Sequence, residues 1–184
     1  MLSVVSVMNN GSIIEVGTVG REGVSGVERL YAGQPPANRV VVQLPGHALV
    51  IEISRLRSIA EQRLGLRAVL MRYLNSYLVQ ATQNVACNGL HNVHQRCCRW
   101  LLTVRDRADS DRIELTHEFL GHMLGVRRAS VSEVLKPLQD QGLVQNNRGS
   151  ITILDRRGLE ANTCECYRRV FDNFAWLQNP ERDR

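Results

Sequence analysis

The stretch LGVRRASVSEVLK, Leu124 to Lys136, asks two things of one segment. Val131, Val134, Leu135 and, just beyond, Leu138 recur at i, i+3, i+4 and i+7, which is the apolar stripe of an amphipathic helix. Arg127, Arg128, Ser130, Ser132, Glu133 and Lys136 fall on the other faces, most of them in the first two turns. A core helix would not carry this polar head. A helix with no face packed against a core would not carry the stripe. The pattern reads as a helix anchored by one face whose head is free to enter a major groove of DNA.

The flanks support that reading. Thr116 followed by Glu118 and Phe119 is a helix start, with the hydroxyl free to cap backbone N–H groups. Phe119, Leu120, Met123 and Leu124 form the inner face of a short first helix. Gly121 sits where a close helix crossing leaves no room for a side chain, and Gly125 can take the positive φ of a sharp turn. NNRGSITILD, residues 146–155, reads as a tight hairpin ending in a strand, with Arg148 at its tip. Pro137 lies inside the second helix, where a proline costs about 3 kcal/mol, so a kink or an early end is expected there.

Working outward, residues 1–53 hold short β-branched runs, LSVVSV, SIIEVGTV, RVVVQL and ALVIEI, separated by NNG, GREGVSG, AGQPPAN and PG. This predicts part of a β domain, with NNG as a hairpin turn and the first strand exposing an unpaired edge. From about Leu56 to Asn88 the turn residues nearly vanish. Leu66, Val69, Leu70, Tyr73, Leu74, Tyr77, Leu78, Ala81 and Val85 follow helical spacing and predict one long amphipathic helix, wide enough in its stripe to meet its own domain and a partner copy. A second domain opens at Val93, helical through HQRCCRWLLTVRDR, with RDRADSDR as a polar loop leading on to the next elements. The expected division is 1–54 for a partial β-roll, 55–92 for a linker and dimerisation helix, 93–170 for a winged helix-turn-helix, and 171–184 for a C-terminal tail. The fold class is α+β.

Hydrophobic residues make up 43% and charged residues 22%, the balance of an ordinary globular chain rather than a disordered or fibrous one. A net charge of +5 favours an anionic partner, yet residues 100–150 hold seven basic and seven acidic side chains, so any basic footprint depends on where they point. Lys136 is the one lysine; arginine supplies the remaining positive charge and is the better bidentate partner for phosphates and guanine edges. No apolar run approaches the ~20 residues of a membrane span, and MLSVVSVMNNG lacks the basic leader of a secretory signal, so a cytoplasmic location and no membrane partner are expected.

The helix, glycine turn, second helix and LVQNNRGSITILD hairpin together resemble the winged helix-turn-helix of the Crp/Fnr family of bacterial transcription regulators. EVGTVGREGVSGVERLYAG resembles the later strands of that family's β-roll sensor domain, and the helix at 64–88 resembles its dimerisation helix. The resemblance implies a homodimer on a two-fold symmetric double-stranded DNA site, with RNA polymerase as a further partner. It implies base contacts from Arg128 and Ser132, phosphate contacts from Thr116, Ser130 and Lys136, and a backbone contact from Arg148 on the wing, with Arg127 and Glu133 completing the interface. Many members have Glu where this chain has Ala129 and Arg where it has Glu133, so the familiar operator sequences do not carry over. The family β-roll has several more strands before the region matching Met1, so the resemblance implies a sensor domain entered partway, through a late start or a true truncation.

In members that bind cyclic nucleotide, a glycine and a glutamate on a short turn and an Arg-Ser/Thr pair hold the ligand. Glu22, Gly23, Ser25 and Arg39 are present in the matching area but the pair is not, so cyclic nucleotide is not expected and the effector stays open. Members with an iron–sulfur cluster use cysteines near the start of the sensor, whereas the first cysteine here is Cys87. Cys87, Cys97, Cys98, Cys164 and Cys166 form an odd set without disulfide spacing. Cys164-x-Cys166 lacks a second pair, so structural thiols, no metal and no cofactor are expected. His117 and His122, flanking the two helices, suit packing or phosphate contacts. No Ser-His-Asp, activated Cys-His or phosphate-loop pattern points to an enzyme. The alternative to a regulator is a shortened interaction protein that dimerises with a partner and does not itself bind DNA specifically.

Overall fold

A computed structural model describes residues 1–32, 37–108 and 110–178. Strands β1 (Leu2–Val7), β2 (Ile13–Val19) and β3 (Arg39–Val42) form an antiparallel sheet in the order β2-β1-β3. The β1–β2 hairpin turns at Gly11, whose φ of 82° is the left-handed conformation expected of NNG. β1 is therefore the central strand, and the expectation that it exposes an unpaired edge is corrected: the edges are β2 and β3. ALVIEI is also corrected. Residues 47–52 carry no regular structure, and Leu49 and Val50 are fully exposed, because no strand among the described residues lies beside them to complete a ladder. The AGQPPAN turn lies partly outside the described residues.

After α1 (Glu28–Ala32), the expected single helix is two: α2 (Ile53–Gln62) and α3 (Leu64–Leu90), separated at Arg63, which is extended (φ −121°, ψ 92°). α3 presents two faces. Leu70, Tyr73, Ser76, Gln80, Asn84 and Cys87 point inward. Leu64, Met71, Leu78 and Val85, each seven residues from the next, remain exposed. The inward polar residues have a specific task, because β2 is an edge strand whose free backbone groups need partners. Gln80 Oε1 accepts from Thr18 N (2.9 Å) and Thr18 Oγ1 (2.8 Å), Gln80 Nε2 donates to Thr18 O (3.1 Å), and Asn84 Nδ2 donates to Val16 O (3.1 Å).

The second domain begins with α4 (Val93–Ala108), which runs through RDRA, so the expected polar loop is confined to the residues after Ala108; Asp109 lies outside the described residues. Then come β4 (Arg112–Glu114), α5 (His117–Leu124), α6 (Arg128–Asp140), β5 (Val144–Asn147), β6 (Ser150–Ile153), α7 (Arg156–Ala161) and α8 (Cys166–Gln178). β4 and α7 were not read from the sequence. The wing is a three-stranded antiparallel sheet in the order β4-β6-β5. Trp100, Leu101 and Leu102 of α4 pack with Leu120, Val131, Leu135, Leu138, Ile113, Ile151 and Leu159 into one core, which Val5 of β1 joins. Burying each such side chain contributes roughly 1.5–3 kcal/mol.

The expected boundary at 170 falls inside α8. Val170 and Phe174 of that helix pack with Leu70 and Tyr73 of α3 and with Val27 and Leu30, so the chain after 170 returns to the first domain as a helix instead of trailing as a tail. Residues 179–184 lie outside the described residues. No helix among the described residues is long and apolar enough to cross a membrane.

Candidate nucleic-acid interface

Each part of the two-helix unit is fixed by a local interaction. Thr116 Oγ1 accepts from Phe119 N (3.1 Å), the cap expected at the start of α5. Gly125 ends α5 with φ 65° and ψ 38°, and Val126 N donates back to Gly121 O (2.9 Å). A Cβ on Gly121 would lie 2.8 Å from Val126 O, which is why the crossing needs glycine. α6 is seated by Val131, Leu135 and Leu138, all buried. It continues through Pro137 to Asp140 and does not end early. The lost N–H bond falls in the last turn, where the burial of Leu135 and Leu138 on either side keeps the helix in place.

This seating leaves Arg128, Ser132, Glu133 and Lys136 exposed along α6, with Arg127 extended at its N-cap position. Ser130 is half-buried. Arg148 is exposed beside Gly149, whose φ of 82° closes the β5–β6 turn. The fold brings Thr116, Arg128 and Arg148 to one cleft of about 400 Å³, together with His117, Glu118, Asn146, Asn147 and Gly149. Ser132 joins through His117. Its Nδ1 is 3.1 Å from Ser132 Oγ and its Nε2 is 2.9 Å from Asn146 Oδ1. An amide oxygen can only accept, so Nε2 carries the proton and, in the neutral ring, Nδ1 accepts from the serine hydroxyl. Glu133, Lys136, Arg127 and Ser130 do not line the cleft.

His117, Asn146 and Asn147 are the site residues the sequence reading missed or left generic. Their signal was available: an NN pair before the wing turn, and a histidine directly after the capping threonine. In the first domain, Glu22 is held by Arg107 of α4, whose Nη2 and Nε donate to Oε1 at 3.0 and 3.2 Å. The carboxylate that could face a cyclic nucleotide instead ties the sheet domain to the second domain.

All five cysteines are buried and none is in a disulfide. The expectation that Cys164 and Cys166 lack partners is corrected: Cys87 and His91, at the end of α3, stand beside them, and the four ligand atoms lie within 4.8 Å of one another.

Residues 95–162 match the Crp-like helix-turn-helix domain. Among curated proteins no relative matches the sequence. Among solved structures, the chain is similar to TTHB099, a CRP-family transcriptional regulator from Thermus thermophilus (TM-score 0.73, 22% identity, 88% of this chain and 82% of that one). It is also similar to FixK2 from Bradyrhizobium japonicum (TM-score 0.65, 16% identity, 89% and 83%) and to the global regulator CLP from Xanthomonas campestris (TM-score 0.64, 16% identity, 84% and 80%). The second domain is thus a Crp-like helix-turn-helix domain, and the chain as a whole has the fold of the Crp/Fnr transcription regulators.

Proposed function

We propose that the protein is a sequence-specific transcription regulator of the Crp/Fnr type that binds a two-fold symmetric DNA site as a homodimer. The observation that carries this reading is the convergence of Thr116, Arg128 and Arg148 on one exposed cleft between the head of α6 and the wing. With α6 in a major groove, Arg128 reads a base edge, preferring the paired acceptors of guanine, while Thr116, Ser130, Lys136 and Arg148 hold phosphates. Ser132 donates its proton to His117 and so offers lone pairs to a base amino group. Arg127 and Glu133 border the contact. The partner copy is held through the exposed heptad positions Leu64, Met71, Leu78 and Val85, whose spacing is that of a coiled-coil seam. The reading involves no catalytic step, places the protein in the cytoplasm, and includes contact with RNA polymerase.

Selection of duplexes from a random library by the purified protein, repeated with Arg128→Ala, tests it. An enriched palindrome that loses preference at one position of each half-site is expected, with an affinity loss of about 1–3 kcal/mol. No enrichment, with binding equal on all sequences, would overturn the reading.

A further inference from the structure

The cysteine and histidine group at the join of the two domains belongs to none of the interactions above. Cys87 and His91 are four residues apart, one turn of helix, at the C-terminal end of α3. Cys164 and Cys166 lie in the turn that starts α8, some 75 residues later in the chain. The fold brings them together: Cys87 Sγ is 3.6 Å from Cys164 Sγ, and Cys166 Sγ is 3.6 Å from His91 Nδ1. A sulfur–sulfur separation of 3.6 Å is far beyond the ~2.05 Å of a disulfide. It is close to the edge of a tetrahedron with metal–sulfur arms of ~2.3 Å, which is about 3.8 Å.

We infer that Cys87, His91, Cys164 and Cys166 form a structural site for one tetrahedral divalent cation of the zinc class. Three thiolates and one imidazole are a closed set for such an ion, and soft sulfur ligands select it over magnesium or calcium. The surroundings are those of a ligand shell. His91 Nε2 lies 3.3 Å from Glu165 Oε2, so the ring proton sits on Nε2 and the Nδ1 lone pair faces the sulfurs. Gln83 Nε2 donates to Cys166 Sγ at 3.0 Å, the contact a thiolate acceptor takes. The three thiols are shielded from solvent, while His91, one-sixth exposed, gives an entry side. Two ligands come from the long helix and two from the start of α8, so the ion would fasten the second domain to α3.

Titration of the reduced, full-length protein with Co²⁺ under anaerobic conditions tests the site. One equivalent per chain is expected, with the intense visible absorption of tetrahedral cobalt and thiolate-to-metal charge transfer, both removed by Zn²⁺. Cys164→Ser should weaken binding more than 100-fold. Because that side chain is buried, Glu165→Gln is the second variant: its carboxylate is 64% exposed, circular dichroism should stay unchanged, and affinity should fall roughly 10-fold. A folded, reduced wild type that binds no Co²⁺, a weakly coloured octahedral spectrum that neither variant changes, or a brown chromophore with labile sulfide would each overturn the assignment. The readout requires no DNA, so failure here and failure of the regulator reading are separate results.

Discussion

Glu15 shows how a single buried residue joins the two domains. It sits on β2, buried, accepting from Ser3 Oγ (2.7 Å) and from Trp100 Nε1 of α4 (3.1 Å). Burial pushes its carboxyl up from 4.5 to about 7, against the opposing pull of the Ser3 hydroxyl, Arg99, Trp100 and Arg107. The folded state therefore keeps a proton that the unfolded chain releases at lower pH. The contribution of this proton to stability is complete below 4.5 and is lost as pH rises through about 7. Melting of the wild type and of Glu15→Gln between about pH 5 and about pH 8 should show the wild type losing ground to the variant, on the scale of about 2–4 °C per kcal/mol. Parallel curves would show that Glu15 is not the titrating group. Nothing local in SIIEVGTV marks this glutamate as buried; alternation alone gave it a face, and only α4 packing against that face explains its state.

At the scale of elements, α6 and α3 each invite a measurement. Pro137 forfeits a hydrogen bond inside α6, so Pro137→Ala should raise stability by about 1–3 kcal/mol in denaturant melts without altering DNA preference. A loss of stability would mean that the proline ring packs into the core. On α3, Leu78→Glu places charge in the exposed heptad seam while leaving the inward face intact. If the proposed dimer forms through this seam, sedimentation should report dimer for the wild type and monomer for the variant; an unchanged dimer would move the interface elsewhere. The elements that could be read from sequence were those with a strong period and local punctuation: β1 to β3, α3, the two helices around Gly125, and the wing. ALVIEI has strand composition but no ladder, because pairing is a property of two segments and not of one. α8 carried its own signal in Val170, Phe171 and Phe174, yet its helical stripe finds cover only across the fold, on α3 and on Val27 and Leu30. The metal-ligand group was legible only in halves, as C-x3-H and C-x-C, since its completion depends on a contact across the fold.

For the molecule as a whole, several links tie the domains, among them Glu22 to Arg107, Glu15 to Trp100, α8 to α3, and the Cys87–His91–Cys164–Cys166 group. An ion bound only by the folded chain stabilises it in proportion to the logarithm of its concentration, by about 2.7 kcal/mol at a hundredfold excess over the dissociation constant. Adding Zn²⁺ to chelator-stripped protein should therefore raise the melting temperature, and Cys164→Ser should abolish the rise. Equal gains in both proteins would place the ion on another site.

β2 meets the rest of the molecule on three sides. It pairs with β1, its free edge is held by Gln80 and Asn84, and its Ile14 approaches Gly125 between α5 and α6. A Cβ at Gly125 would come within 2.7 Å of Ile14 Cδ1, so any larger residue there would push that side chain aside. The turn between α5 and α6 thus leans on β2 as well as on its own core: glycine at position 125 is what lets the sheet and the two-helix unit touch.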